Sequence, residues 1–275
     1  MKRTVFILIF LIGSSVAFLH GSTSTGRPDT AAVLEKLFRR LAGSTADSLR
    51  IRINDSIMVI IDSYAESDSV MRHKFENIRF LGQITSPDSK LKIITWNLLL
   101  SGLKSRYYCY FINRSGKTNK VYKLTGMYRE EPARTDTAYT QDNWYGALYY
   151  DLRPVRQGNQ IYWMLLGIDY GNPVITRKII DVLSFNPDNS LILGKKWFET
   201  GKETKYREVL EYNSSAVITL RFLSDKSIVF DHLVSVSPDL KGKKEYYGPD
   251  YSYDSFNFEK GSWKLKINID VRNKE

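Results

Sequence analysis

The sequence predicts a mostly β protein of antiparallel sheets, as a sandwich or a small irregular propeller-like body, behind a short N-terminal helical segment. Three observations predict this. Apolar residues between 29 and 65 recur at helical spacing. From Phe80 onward, short apolar runs alternate with turn residues at intervals of roughly ten residues. The final run alternates between apolar and polar residues, which is typical of a strand with one buried face.

The first 21 residues predict a secretory signal peptide. Residues 1–3 are cationic at Lys2 and Arg3, residues 4–18 are almost wholly apolar, and small residues precede Ala17. The apolar run is about 15 residues, shorter than the roughly 20 that a transmembrane helix needs. We therefore expect cleavage after Ala17 or Gly21, with an uncleaved anchor as the alternative. The chain is expected to be exported to the periplasm or the cell surface, with no later transmembrane segment.

Residues 22–75 are predicted to hold a polar linker and the helical segment. Asp29 and Thr30 cap a first helix that ends at Gly43. Its apolar residues follow helical spacing: Ala32, Val33, Leu34, Leu37, Phe38 and Leu41. A second helix is predicted from Asp55 to about Ala65. Its Ile and Val content leaves a buried strand as the alternative.

Residues 76–275 are predicted to form the antiparallel β domain. The turns between its strands carry Pro, Asp, Asn and Gly, which preset turn dihedral angles or tolerate positive φ. The predicted strands are Leu91–Leu100, Tyr107–Ile112, Val121–Leu124, Ile161–Ile168, Val174–Phe185, Leu191–Leu193 and Val217–Leu223.

Two of the predicted strands carry further information. The run Ile161–Leu166 is apolar without alternation, so we expect a central strand that is buried on both faces. The last strand follows a hairpin turn at residues 259–262. One face of it is predicted to be apolar, through Trp263, Leu265, Ile267, Ile269 and Val271.

A polar segment between Tyr128 and Gln141 is the one long loop expected in the β domain. Long loops on a rigid scaffold often carry binding function. A plain connector between two halves of the domain is the alternative.

The charge of the chain is +10, or about +8 once Lys2 and Arg3 leave with the signal peptide. The basic residues are dispersed, and the densest groups are Lys195-Lys196 and the lysines at 241–244. Dispersion favours a solvated basic surface over a specific nucleic-acid site. Binding to an anionic polymer or a membrane surface stays open as an alternative.

Cysteine and histidine are too scarce for the common metal sites. Cys109 is the only cysteine, so no intramolecular disulfide forms, and its aromatic surroundings predict a buried, inert thiol. His73 and His232 are the only histidines after residue 21. We expect no metal and no cofactor. His232 follows a strand-like run and is expected to be structural, with a catalytic role as the alternative.

Two clusters combine aromatic residues with acids. Sugar-binding sites stack aromatic rings on sugars and use carboxylates to hold hydroxyl groups. Glycosidases need two positioned carboxylates, for which Asp250 and Asp254 are the candidate pair. Ordinary packing and turn formation is the alternative. The candidate ligand-binding residues are Trp144, Tyr145, Tyr247, Asp250, Tyr251 and Asp254.

Parts of the chain resemble known proteins. The turn Ser86-Pro87-Asp88 resembles that of TolB-type propeller repeats, although the following residues depart from that pattern. The stretches 143–150, 161–169 and 231–273 resemble secreted proteins of Bacteroidota-type bacteria that have no assigned activity. This resemblance carries no site residues over to the chain.

The sequence thus predicts an exported envelope protein that is a non-catalytic binding or structural module. Its candidate partners are a glycan or another envelope protein. The alternatives are a glycan-acting hydrolase with paired carboxylates and a protein that binds anionic polymers or membrane surfaces.

Overall fold

The computed structural model describes residues 29–102, 105–116, 118–170, 173–201 and 203–270. The predicted signal peptide and nearly all of the polar linker lie outside these residues. The described α-helices fall within residues 30–65 and the described strands within residues 82–269.

The first helix is the one that the sequence predicts. Helix α1 spans Thr30–Gly43, and the Asp29 carboxylate accepts a hydrogen bond from the Ala31 amide at 3.0 Å. This bond satisfies one of the backbone donors that a helix leaves free at its start. The side chains that α1 buries are Leu34, Phe38 and Leu41.

The second helix is longer than predicted. Helix α2 spans Asp47–Ala65, so the prediction of a helix is confirmed, the alternative of a strand is wrong, and the start lies about two turns earlier. Its N-cap residue, Ala46, makes no side-chain cap bond, so the sequence held no start signal there. Neither helix has the length and apolar character that a membrane crossing requires.

The described chain contains sixteen strands. They are β1 Gly82–Thr85, β2 Leu91–Leu98, β3 Arg106–Ser115, β4 Thr118–Met127, β5 Tyr139–Thr140, β6 Leu148–Gln157, β7 Gln160–Asp169, β8 Ile175–Phe185, β9 Leu191–Leu193, β10 Phe198–Thr200, β11 Glu203–Lys205, β12 Glu208–Asn213, β13 Leu220–Ser224, β14 Ser227–Ser235, β15 Tyr247–Glu259 and β16 Ser262–Ile269.

The strands form three sheets. The first has the order β1-β2-β3-β4, the second β5-β9-β8-β7-β6 with β12 beside β8, and the third β11-β10-β16-β15-β14-β13. Each sheet contains a four-stranded antiparallel meander: β1–β4, β6–β9 or β13–β16. The pairing of β10 with β16 is parallel. The prediction of a mostly β, antiparallel fold behind N-terminal helices is confirmed.

The helices and sheets stack in successive layers. Trp96 and Tyr110 point from the first sheet to the helices, whereas Tyr107 and Phe111 point to the second sheet. The side chains of β7 in the second sheet also point to both sides. Trp163 faces the first sheet, whereas its neighbours Tyr162 and Met164 face the third. Both faces of these two sheets are therefore buried, which explains the apolar run that the sequence shows at Ile161–Leu166.

Cys109 lies in the layer between the first and second sheets and is fully buried. Burial raises the pKa of its thiol well above the usual value. The prediction of a buried thiol is confirmed, and a thiol that stays protonated is a poor nucleophile.

Two strand predictions need correction. The last strand keeps its buried face only through Trp263 and, in part, Leu265, whereas Ile267 is 58% exposed. The pairing of β15 with β16 shifts register at this point, between Lys266 and Ile269, and Asn268 has a positive φ of 54°. The shift turns the rest of β16 away from the core. The strand predicted from Val217 begins only at Leu220, because Val217 is 89% exposed.

Candidate functional site

The two predicted ligand-binding residues before β6 pack into the core. Trp144 is 3% exposed, and its Nε1 donates to the Tyr149 hydroxyl at 3.1 Å. Tyr145 donates to the Asp181 carboxylate at 2.8 Å and packs against the layer between the first and second sheets. Neither ring forms an open stacking surface, although Tyr145 lines a cavity described below.

The other four candidates lie on β15 in different environments. The Tyr247 hydroxyl accepts from the Gly242 amide at 3.0 Å. Asp250 is exposed and accepts from Ser252, whose hydrogen bonds lower the pKa of the Asp250 carboxyl. Tyr251 is 94% exposed. Asp254 is 7% exposed and lies at the wall of a cleft.

The buried Asp254 has a partner that the sequence did not suggest. Its Oδ2 lies 2.7 Å from Nδ1 of His232, and its Oδ1 accepts from the Asn268 amide at 3.1 Å. A carboxylate at Nδ1 fixes the orientation of the imidazole ring. Within the described chain, Nε2 of His232 makes no hydrogen bond of its own. The pair therefore presents an oriented imidazole nitrogen.

The sheet is distorted around this pair. Asp231 on β14 faces Tyr253, but Leu233 faces Pro249, so residues 250–252 oppose the single residue His232. Tyr251, in the middle of this bulge, has φ of +68°. Positive φ is strained for a bulky side chain, and such strain often accompanies functional sites. The bulge places an exposed tyrosine beside the His232–Asp254 pair.

A cleft of about 190 Å³ opens beside His232, between β12 of the second sheet and β14–β16 of the third. Its floor is apolar, formed by Leu210, Phe230, Phe256 and Leu265. Its polar wall consists of Lys205, Glu208, Asp231, His232 and Asp254. An apolar floor with converging polar groups is the usual form of a small-ligand site.

Glu208 is the acid in this cleft with a perturbed pKa. Burial raises the pKa of its carboxyl even though Lys205 lies 3.1 Å away. Such a group holds its proton more readily than an exposed glutamate. Sequence analysis missed Glu208 and Lys205 because both lie on short strands without apolar alternation.

The predicted functional loop crosses the second sheet as residues 129–138, called the strap below. Two buried arginines hold it by its carbonyl oxygens. Arg177 donates to Arg129 at 3.0 Å and to Glu130, and Arg207 donates to Thr137 at 2.8 Å and to Arg134. A second cavity, of about 300 Å³, lies under the strap.

Metal ligation finds no support in the part of the chain that the structure describes. Its histidines, cysteines and acids form no group of three or more that could hold a metal ion.

No protein-family model, curated protein or solved structure matches this chain. The proposals below therefore rest on the geometry of the described residues and on the sequence.

Proposed function

We propose that this protein is an exported binding module of the bacterial envelope that holds a glycan at the cleft beside His232. The observation that carries this proposal is the position of Tyr251. Its ring is 94% exposed on a strained bulge, next to a cleft with an apolar floor and a polar wall. Sugars combine apolar ring faces with hydroxyl groups, and both surfaces have a counterpart here.

The polar wall suits hydroxyl groups. Nε2 of His232 is oriented by Asp254 and can exchange a hydrogen bond with a hydroxyl group, while Lys205 donates. The cleft, about 190 Å³, is smaller than the roughly 300–1,000 Å³ of sites for drug-sized ligands. It therefore suits one sugar unit, and the neighbouring unit of the chain would stack on Tyr251.

Binding to a panel of bacterial and host glycans, measured by calorimetry, tests this proposal. Tyr251→Asn removes the ring while keeping a residue type that tolerates positive φ. We expect loss of the Tyr251 ring to raise the Kd for the glycan about tenfold, which is the upper range for one stacking contact. Tyr170→Asn is the matched control, because Tyr170 is also exposed but follows β7 and lies outside the bulge opposite His232. Equal affinity of wild type and Tyr251→Asn would reject the stacking role.

Export is supported by residues 1–21. Expression of the full chain in a Gram-negative host, followed by fractionation and intact-mass analysis, tests it. We expect the protein outside the cytoplasm, shortened by 17 or 21 residues. A full-length cytoplasmic product would count against export.

A glycan hydrolase is the second candidate, favoured by the raised pKa of Glu208. A glycosidase acid must keep its proton near neutral pH, and a second carboxylate must share its site. Asp254 lines the same cleft, whereas Asp250 does not. If hydrolysis occurs, Glu208→Gln should abolish the release of reducing ends and Asp250→Asn should leave it intact. Absence of any release from the bound glycan rejects this candidate.

A further inference from the structure

The cavity under the strap is separate from the cleft beside His232. It measures about 300 Å³, at the lower end of the roughly 300–1,000 Å³ typical of ligand pockets. The strap forms one wall through Arg129, Glu131 and Arg134. The second sheet and the segment before β6 form the other, through Tyr145 and Arg177.

This cavity has a fixed frame. The carbonyl oxygens of the strap accept hydrogen bonds from the buried guanidinium groups of Arg177 and Arg207. The Arg134 amide also donates to the Tyr139 hydroxyl at 2.9 Å. Hydrogen bonds with a charged donor are stronger than neutral ones, so several of them hold the strap at its distance from the sheet.

The lining of the cavity is both polar and apolar. Asp169 and Arg177 contribute charged groups, whereas Ile179 and the tyrosines at 139 and 145 contribute apolar surface. Cavities that stay empty in proteins are wholly apolar, whereas those with polar groups hold water or ligand. The space under the strap is therefore suited to an occupant with both charged and apolar parts.

Most charges around this cavity are already compensated. Arg177 pairs with Asp169 at 3.1 Å and with Glu211 at 3.0 Å. Arg134 pairs with Asp136 at 2.8 Å. The remaining two charges on the lining are Arg129 and Glu131, which enter no ion pair with any residue that the structure describes.

We propose that this cavity binds a small zwitterion, namely a free α-amino acid. Arg129 and Glu131 have opposite charges, stand two residues apart on a rigid strap and line the same space. A guanidinium binds a carboxylate through two parallel hydrogen bonds. Arg129 receives the ligand carboxylate, Glu131 its ammonium group, and the aromatic rings at 139 and 145, with Ile179, contact its side chain.

Calorimetric titration of the full chain with leucine, N-acetyl-leucine, leucinamide and leucinol tests the two charges separately. We expect leucine to bind and each blocked analogue to bind about 10- to 100-fold more weakly, because each loses one charged contact. Equal binding of leucine and N-acetyl-leucine would overturn the ammonium contact, and with it the proposal. So would the absence of leucine binding at about 10 mM, near the limit of useful affinity.

Two variants place the ligand under the strap. Arg129→Met and Glu131→Gln should each weaken leucine binding about tenfold or more. Glu130→Gln is the matched control: its side chain is exposed and does not line the cavity, and its carbonyl bond to Arg177 is retained. Unchanged affinity in both test variants, or an equal loss in the control, would overturn the proposal.

Discussion

Arg207 Nε lies 3.0 Å from the Asp181 carboxylate, and neither side chain is exposed to solvent. Each charge has further partners. Arg207 donates to the carbonyl oxygens of Leu193 and Thr137 at 3.0 and 2.8 Å, and Asp181 accepts from the Tyr145 hydroxyl at 2.8 Å. The pair joins β8 and the segment before β12 to the strap. Its partners make the burial of two charges tolerable.

Removal of one member of this pair should be strongly destabilising. Arg207→Met leaves Asp181 buried without its counter-charge, so we expect the free energy of unfolding to fall by about 3–5 kcal/mol. Arg39→Met is the control, because the Arg39–Glu35 pair on α1 is exposed and of the kind that contributes about 0.3–0.5 kcal/mol. Urea unfolding of both variants measures the difference. Equal losses would contradict the importance of the buried pair.

The contribution of Lys92 to stability should rise with pH above about 8. This lysine is buried, donates to the Tyr64 hydroxyl and the Val70 carbonyl, and has no acidic partner among the described residues. Burial, and then the nearby charge of Lys74, lowers its pKa from 10.5 to about 8. Between these values the unfolded chain binds more protons than the folded one, so unfolding becomes less favourable as pH increases.

The size and the limit of this rise can be stated. Lys92 should contribute about 2 kcal/mol between pH 8 and about pH 9.5, taken as the difference between wild type and Lys92→Met, since each pKa unit corresponds to about 1.4 kcal/mol. Cys109 and Tyr64, whose pKa values burial raises, act in the opposite direction, because unfolding lets them ionise as pH increases. Urea unfolding from pH 7 to 10 measures the profile. The free energy of unfolding of Lys92→Met should lack this contribution. If wild type and variant change equally with pH, the contribution comes from groups other than Lys92.

The sequence predicted the meanders because local chemistry sets their boundaries. The turn at residues 259–262 lies where expected, with Lys260 and Gly261 both at positive φ. Strands β1, β5, β6, β10, β11 and β12 were not predicted: all except β6 have six residues or fewer, and β5, β10 and β12 pair with strands far along the chain. The predicted start of helix α2 was too late because the first two turns of the helix lack both a cap and a clear apolar face.

The candidate site was predicted less well than the fold. His232 and Asp254 meet through a register shift between β14 and β15, which no periodic pattern encodes. Trp144 looked like a stacking residue because composition cannot separate an exposed ring from a packed one. The strap was correctly placed as a loop, but the buried arginines that hold it come from distant strands.

A close approach of two backbones explains two glycines. A Cβ at Gly126 on β4 would lie 2.6 Å from Cα of Gly146, and backbone atoms there cannot move aside. We expect Gly126→Ala to destabilise the fold by about 1–3 kcal/mol, as overpacking does. Gly43→Ala is the control, because its Cβ meets nothing within 4 Å at the end of α1. That change should add up to about 1 kcal/mol, measured by urea unfolding. If Gly126→Ala left the free energy of unfolding unchanged, β4 would be able to move away from Gly146.

At Tyr251 the backbone conformation lowers stability, whereas the exposed ring is available for binding. Its ring is 94% exposed, so it buries almost nothing, yet its φ of +68° is strained. A left-handed conformation costs a non-glycine residue roughly 1–2 kcal/mol, whereas glycine adopts it freely. Because glycine also makes the unfolded chain more flexible, we expect Tyr251→Gly to raise unfolding free energy by only about 0.5 kcal/mol.

The same variant should lose about tenfold in glycan affinity, since it lacks the ring. Tyr170→Gly serves as the control: Tyr170 is exposed but has no positive φ, so glycine there should lower stability by roughly 0.5–1 kcal/mol and leave glycan affinity unchanged. Urea unfolding and calorimetry on both variants separate the two effects. A Tyr251→Gly protein that is less stable than wild type by 1 kcal/mol or more would mean that the ring supports the fold. In that case the strain at residue 251 is maintained by packing and not by ligand binding.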